Sequence, residues 1–297
     1  MRKYWILPLF LLVFYGIALG DQRPRLKVYI SADMEGVGGV ISENKQSSPQ
    51  GADYEKYRRF MTLEVNAAIA GAYDAGATEV VVSDSHWNGE NIDTELLDHR
   101  VQLVRGFPRP LGMMQGIDDT FDAVVFFGYH ASEGQENGIL AHTEDGEKIL
   151  EVKLNGVSVP EAGFNAAIAG DFGVPVVFLS GDKATCDEAI RILGPIETAI
   201  VKTGSGFYSG TMLHPEESQR MIREGVNRGV NKRLHLKPYK VVHPVKLEVT
   251  FKDPFYAEIV SYFRNVERPN AHSIIYNAID MTDASRFFSA IGYLHDD

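Results

Sequence analysis

The chain has 297 residues, 44% of them hydrophobic and 23% charged, a composition typical of a globular protein with one large α/β domain or two smaller ones. Its formal net charge of −11 argues against a nucleic-acid-binding surface, which needs clustered Lys and Arg. The single cysteine, Cys186, excludes an intrachain disulfide, and no activating motif surrounds it.

The N-terminus has the layout of a secretory signal. Arg2 and Lys3 precede an apolar stretch over residues 4–19, with the small residues Ala18 and Gly20 at its end. This order predicts a signal peptide over residues 1–20, a secreted or periplasmic protein, and no stable membrane partner after cleavage. The alternative is an uncleaved membrane anchor, since the apolar stretch is only slightly shorter than a bilayer span.

Short apolar runs then alternate with helical patterns. Strands are predicted at residues 26–31, 79–83, 123–127, 176–180 and 197–201. Helices are predicted at residues 54–73, 160–172 and 183–193, where apolar residues recur at spacings of three and four. This alternation predicts an α/β fold with a largely parallel sheet and helices on both faces.

The pattern changes near residue 215. Helices are predicted at 216–228, 255–263 and 281–294, around a strand at 245–249. We therefore expect a catalytic α/β domain over residues 21–214 and a smaller C-terminal α/β subdomain over residues 215–297.

Polar side chains follow four of the predicted strands. Asp33 and Glu35 come after the first strand, and His86 comes after the second. His130 follows the third, and Asp182 follows the fourth. Because the carboxyl ends of parallel strands gather distant loops into one crevice, these side chains are expected at a common edge of the sheet.

Carboxylates and imidazoles are the ligands that zinc accepts at hydrolytic sites. A carboxylate can bridge two such ions, and Asp33, which directly follows its strand, is the candidate bridge. Gly36, Gly38 and Gly39 would let the next segment bend tightly. Their spacing matches no phosphate-binding fingerprint.

Two further candidates lie outside the strand ends. Glu161 opens a predicted helix, where it could bind a metal or complement the helix dipole. His142 lies in a loop and could serve as base, acid or nucleophile. Asp182, Lys183 and Lys202 could orient ligands or hold a substrate carboxylate, although a structural role is the simpler interpretation.

Five stretches together resemble the DppA-type D-aminopeptidases, a family of binuclear zinc peptidases. They are residues 31–36 (SADMEG), 83–86 (SDSH), 127–131 (FGYHA), 141–142 (AH) and 161–166 (EAGFNA). The resemblance implies the metal ligands Asp33, Glu35, His86, His130 and Glu161, and His142 as the catalytic residue. It also implies two zinc ions, release of N-terminal D-residues such as D-alanine from small peptides, and a ring-like homo-oligomer with a decamer as its expected size.

The hypothesis is that zinc polarises the scissile carbonyl of a short peptide, and that either a metal-activated water or His142 attacks it. The sequence does not choose between these nucleophiles. A binuclear metallo-amidase or phosphoesterase would use the same ligand types, and an exported solute-binding protein would also suit a strand-edge crevice.

Overall fold

The structure is a computed structural model that describes Met1 and residues 25–294. Apart from Met1, the predicted signal peptide lies outside the described residues. In the described part of the chain, no helix combines the length and the apolar character needed to cross a bilayer.

The strands and helices alternate through most of the chain. The strands are β1 (Lys27–Ala32), β2 (Glu79–Asp84), β3 (Gln102–Val104), β4 (Ala123–Phe127), β5 (Ile149–Leu154), β6 (Val157–Ser158), β7 (Val176–Asp182), β8 (Glu197–Gly206), β9 (Ser209–Met212), β10 (Val245–Phe251), β11 (Val266–Glu267) and β12 (Ser273–Ala278). The α-helices are α1 (Tyr54–Asp74), α2 (Glu161–Asp171), α3 (Lys183–Leu193), α4 (Pro215–Lys232), α5 (Pro254–Val260) and α6 (Met281–Gly292). A short π-helical turn covers Glu43–Ser47.

Among the described residues, seven strands form the larger sheet in the order β3-β2-β1-β4-β7-β8-β9. All neighbours pair in parallel except β9, which returns antiparallel to β8. The strand order reverses between β1 and β4. In open α/β sheets a crevice forms at the carboxyl ends of the strands at such a reversal, so residues that follow β1 and β4 are placed side by side.

Side chains along β1 alternate between two cores. Val28 and Ile30 pack with α1 and α4 on one face of the larger sheet. Tyr29 points to the other face, where α2 and α3 lie. Residues 161–170 of α2 are all buried, because this helix also packs against the elements of the smaller sheet.

The smaller sheet, as far as the described residues go, has five antiparallel strands in the order β11-β12-β10-β5-β6. It takes β5 and β6 from before residue 214 and three strands from after it. Helix α4, which follows residue 214, packs on α1 of the larger sheet. The division of the chain at residue 214 stays a prediction, and both layers use segments from either side of it.

The predicted fold class is confirmed. The strand predicted at 123–127 and the helix predicted at 183–193 have the bounds of β4 and α3. The remaining predicted elements differ from the observed ones by a few residues at their ends. The sequence analysis missed β3, β5, β6, β9, β11 and β12.

Candidate metal centre

Six predicted site residues meet at the carboxyl edge of the larger sheet, at the reversal of strand order. They are Asp33 and Glu35 after β1, His86 after β2, His130 after β4, His142 in the loop before β5, and Glu161 at the start of α2. The side chain of His142 is 21% exposed, whereas those of the other five are 2–5% exposed. The cluster is therefore buried except on the side of His142.

Asp33 lies between two histidines. Its Oδ1 is 3.2 Å from Nδ1 of His86, and its Oδ2 is 3.4 Å from Nε2 of His130. The two carboxylate oxygens thus face different imidazoles, which is the arrangement that a bridging ligand requires.

Each of the two histidines also faces a second carboxylate. Glu35 Oε2 lies 3.0 Å from His86 Nδ1, and Glu161 Oε1 lies 3.1 Å from His130 Nε2. We call Asp33, Glu35 and His86 the His86 triad, and Asp33, His130 and Glu161 the His130 triad. The two triads share Asp33.

Backbone carbonyls fix which nitrogen of each imidazole faces the cluster. His86 donates from Nε2 to the carbonyl of Ser47 at 2.9 Å, and His130 donates from Nδ1 to the carbonyl of Ala131 at 3.1 Å. Because a carbonyl oxygen only accepts, these nitrogens carry the hydrogens. His86 Nδ1 and His130 Nε2 are then free to coordinate a metal ion, as in other metal-binding histidines whose second nitrogen is hydrogen-bonded.

Two buried oxygens of the cluster, Asp33 Oδ2 and Glu35 Oε2, make no hydrogen bond. Such atoms are costly unless a ligand satisfies them. Donor atoms around one tetrahedral zinc ion, each about 2.0–2.2 Å from it, lie roughly 3.3–3.6 Å apart. Each imidazole nitrogen lies 3.0–3.4 Å from two carboxylate oxygens, close to this spacing. Ligand atoms of Asp33, Glu35 and His130 also lie within 4.8 Å of one another, so the residues present fit zinc.

The electrostatics of the cluster also favour a cation. Burial and the neighbouring Glu35 raise the pKa of Asp33 to about 8. Burial alone would lower the pKa of His86 and His130, but the carboxylates of Glu35 and Glu161 outweigh it and hold both pKa values well above their usual range. Without a metal, protons on the imidazoles therefore supply the positive charge that the buried carboxylates require.

His142 is the site residue that faces solvent. Its Nδ1 donates to the carbonyl of Leu140 at 2.8 Å, which leaves Nε2 free, 3.8 Å from Glu161 Oε1. Its ring stacks on that of His130, with centroids 3.8 Å apart. One ligand atom from each of His142, His130 and Glu161 lies within 4.8 Å of the other two. This position gives Nε2 access both to the cluster and to a substrate entering from solvent.

The loop after β1 is held against the loop after β4. The amide of Asp33 donates to the carbonyl of Phe127, and that of Gly36 donates to the carbonyl of Gly128 at 2.7 Å. A Cβ at position 36 would lie 2.1 Å from the carbonyl oxygen of Tyr129. Glycine is therefore required at position 36 for close backbone approach, which keeps Asp33 and Glu35 beside His130.

Other polar residues near the strand ends have structural contacts. Asp84 accepts from the amides of Asn91 and Ile92 at 2.6 and 2.7 Å, which fixes the loop that carries His86. Asp182 caps α3 and accepts from the amide of Ile139 at 2.7 Å. Lys183 is exposed and pairs with Asp187.

Lys202 is buried, and its ammonium group donates to backbone carbonyls of the loop after β1. Cys186 is also buried, in α3, and burial raises the pKa of its thiol. It is an inert packed residue.

The sequence analysis missed several supporting residues. Ser47 acts through its carbonyl, and a backbone acceptor leaves no signal in the sequence. Tyr129 lies within one of the motifs, and its hydroxyl contacts Ser31 Oγ at 2.8 Å and Asn165 Nδ2 at 3.0 Å. Glu188 accepts from the amide of Ser132 at 2.9 Å and so supports the loop after His130.

Comparison with known proteins gives one consistent result. The model of the D-aminopeptidase family matches residues 26–290. A D-aminopeptidase from Bacillus subtilis (strain 168) is 31% identical over 263 residues, which cover 87% of this chain and 94% of the relative.

A solved structure, described as the Zn-dependent D-aminopeptidase DppA from Bacillus subtilis, a self-compartmentalizing protease, superposes with a TM-score of 0.87. The match has 30% identity and covers 90% of this chain and 96% of that chain. These matches confirm the resemblance seen in the five motifs.

Proposed function

Because the chain belongs to the D-aminopeptidase family, we propose that it is a zinc-dependent aminopeptidase that releases N-terminal D-residues, D-alanine in particular, from short peptides. The similar solved structure is described as Zn-dependent, and the donor set of the cluster fits that metal. The preference for D-residues rests on the family assignment, because the pocket residues alone do not define stereochemistry.

The observation that carries this proposal is the sharing of Asp33 between two triads. Its two oxygens face His86 Nδ1 and His130 Nε2, respectively, and each imidazole has a second carboxylate at about the same distance. We therefore propose that two zinc ions per subunit would be held here, one by the His86 triad and one by the His130 triad, with Asp33 common to both.

Zinc bound there would supply Lewis-acid chemistry at the scissile carbonyl. The protein's own contribution centres on His142. Its Nδ1 is fixed by the carbonyl of Leu140, so Nε2 presents a lone pair toward the site and solvent. This nitrogen is suited to accept a proton from the attacking group and return it to the leaving amine, or to attack the carbonyl itself.

The deciding experiment compares substrates on the zinc-loaded protein. We expect turnover of D-alanyl dipeptides, much slower turnover of the matched L-alanyl dipeptides, and none of a phosphate ester. Preferred hydrolysis of the ester, or of amides without a free amino terminus, would favour a phosphoesterase or amidase instead. Stoichiometric peptide binding without turnover would indicate a solute-binding protein.

We also propose that the chain acts as a ring-like homo-oligomer of ten subunits that encloses its sites. The similar solved structure is described as a self-compartmentalizing protease. The match covers 96% of that chain, which supports the same subunit fold in both proteins. Enclosure of the sites would restrict the substrates to short peptides.

We propose that the chain is exported and acts as a secreted or periplasmic protein. The basic residues Arg2 and Lys3, the apolar stretch, and the small residues at positions 18 and 20 support cleavage after Gly20. N-terminal analysis of the protein recovered from outside the cytoplasm should give Asp21 as the first residue. An intact N-terminus in a membrane fraction would instead support the anchored alternative.

A further inference from the structure

The segment that carries Asp33 and Glu35 is held by two buried side chains, one basic and one acidic. We call residues 33–40 the ligand loop. Lys202 reaches it from β8 and Glu64 reaches it from α1, and these two residues are 2% and 1% exposed, respectively. Neither was among the predicted metal ligands, and neither is needed by the proposed chemistry.

The ammonium group of Lys202 binds backbone carbonyls of this loop. Its Nζ donates to the carbonyl of Val40 at 2.7 Å, to that of Val37 at 3.3 Å, and, most closely, to that of Glu35. An ammonium group has three donors and no acceptor, so all three donors are used. Lys202 therefore has no free donor for a substrate carboxylate.

Glu64 holds the same loop by the opposite kind of contact. Both of its carboxylate oxygens lie 3.3 Å from the amide nitrogen of Gly38 and accept its hydrogen. A Cβ at Gly38 would lie 2.6 Å from Glu64 Oε1, so a side chain at this position would displace the Glu64 carboxyl group from this contact. Carbonyls of the loop are thus bound by an ammonium group, and an amide between them is bound by a carboxyl group.

Burial disfavours the charged form of both side chains. It lowers the pKa of Lys202 to about 8, while Asp182, Glu35 and Glu64 favour the charged ammonium, and it raises the pKa of Glu64 to about 8. Apolar side chains of similar volume would often give equal or greater stability at such positions. The contacts that these two polar groups make, with three carbonyls and one amide of a single loop, point to a role in placing that loop.

We propose that Lys202 is a positioning residue for the metal site: it fixes the ligand loop so that Asp33 and Glu35 face His86 and His130. Glu64 holds the same loop from α1. This inference rests on the proposed zinc site. It assigns Lys202 an effect on metal affinity and coordination geometry, and no contact with substrate. Residues that hold metal ligands in this way change metal affinity or activity by about 10–100-fold when they are replaced.

The test compares Lys202→Met with Lys183→Met as a matched control. Lys183 lies at the same edge of the sheet, but its ammonium is exposed and pairs with Asp187. Zinc affinity is measured by competition with a chromophoric chelator, and coordination geometry is measured from the visible absorption of the Co²⁺-loaded protein.

We expect Lys202→Met to weaken zinc binding about 10–100-fold and to change the Co²⁺ spectrum. Lys183→Met should match the wild type in both measurements. A Lys202→Met protein with lower thermal stability but wild-type zinc affinity and an unchanged spectrum would overturn the proposal, because those results describe a purely structural residue.

A second pair of variants keeps the proposal testable if Lys202→Met does not fold. Glu64→Leu removes the acceptor for the Gly38 amide, whereas Glu64→Gln retains an oxygen in the same place. We expect Leu to weaken zinc binding at least tenfold and Gln to restore most of the affinity. Wild-type affinity in both Glu64 variants would count against the inference.

The outcomes for this inference and for the proposed function are distinguishable. Zinc affinity and the Co²⁺ spectrum are read without any peptide. A wild-type protein that binds zinc but hydrolyses no D-alanyl peptide would reject the proposed function and leave the role of Lys202 open to measurement. A hydrolytic wild type whose Lys202→Met variant binds zinc normally would reject only the positioning role.

Discussion

Each histidine of the site has one ring nitrogen bound to a backbone carbonyl. Ser47, Ala131 and Leu140 provide these carbonyls for His86, His130 and His142, respectively. Such bonds set the tautomer and the ring orientation. The difference between the three imidazoles is their environment, because only His142 is partly exposed to solvent.

This difference predicts the behaviour of His142→Ala. If Nε2 transfers protons or attacks the substrate, turnover of a D-alanyl dipeptide should fall by roughly 10²–10⁴-fold, while two zinc ions remain bound. The exposed residue His99 provides the control, and His99→Ala should retain full activity. Equal turnover in the His142 variant and the wild type, both loaded with zinc, would remove His142 from the mechanism.

The protonation of the cluster predicts how zinc affinity varies with pH. The pKa values of His86 and His130 are raised in the metal-free protein by the adjacent carboxylates, so at neutral pH both imidazoles carry protons that zinc must displace. Apparent affinity should therefore increase with pH, about tenfold per unit for each proton released. Calorimetry in buffers of different ionisation enthalpy counts these protons, and an affinity that is constant between about pH 6 and 8 would contradict the assignment.

At the scale of residues, sequence reasoning found side chains with distinctive chemistry. Asp33, Glu35, His86, His130 and Glu161 do meet, because they follow parallel strands or begin the helix beside them, and the loop before β5 brings His142 to the same place. It did not single out Glu64, and for Lys202 it favoured a structural role over orienting ligands, because a charged residue within an apolar pattern looks the same whether it faces solvent or a buried loop. Only the fold shows that their partners are backbone groups of residues 35–40.

At the scale of elements, the site depends on contact between the loops after β1 and β4. Gly36 lies against the backbone of Gly128 and Tyr129, with no space for a side chain. These strands are adjacent because the strand order reverses between them. The close backbone contact between these two loops therefore fixes the distances between the side chains of the site.

Gly36→Ala tests this dependence. The added methyl group would lie 2.1 Å from the carbonyl oxygen of Tyr129, and overpacking of this kind lowers the free energy of unfolding by about 1–3 kcal/mol. Chemical denaturation of the zinc-free protein measures this loss. Gly292→Ala is the matched control, since a Cβ there meets no atom within 4 Å, and an equal effect in the two variants would refute the argument.

The elements that the sequence predicted are those of the buried parallel sheet. Every residue of β4 and β7 is buried; β4 and the first four residues of β7 are continuous apolar runs, and such runs stand out in a sequence. The smaller sheet was missed because its strands give weaker signals. β5 pairs with β10, about ninety residues later in the chain, and its six residues mix buried and exposed positions in a pattern too short to separate from a loop.

At the scale of the whole molecule, helix α2 joins the two sheets. It carries Glu161 at its first residue, and residues 161–170 are buried between layers built from both halves of the chain. The site is therefore supported by the smaller sheet as well as by the larger one. Changes in the C-terminal segment that loosen this packing should also affect the His130 triad.

The assembly is a second property at this scale. If the chain forms the proposed ring, analytical ultracentrifugation of the protein without residues 1–20 should give a single closed species of about ten subunits at all concentrations tested. Because a closed ring has no free interface, the species should not grow further. A monomer, or an open series of oligomers that grows with concentration, would contradict the ring.

The most direct test of the account is the zinc content of the purified protein, measured together with hydrolysis of a D-alanyl dipeptide. The shared position of Asp33 between His86 and His130 predicts about two zinc ions per chain, loss of activity on chelation, and recovery on adding zinc. Asp33→Ala should bind markedly less zinc and should not recover. Full peptidase activity in a protein that has been stripped of metal would contradict the central claim.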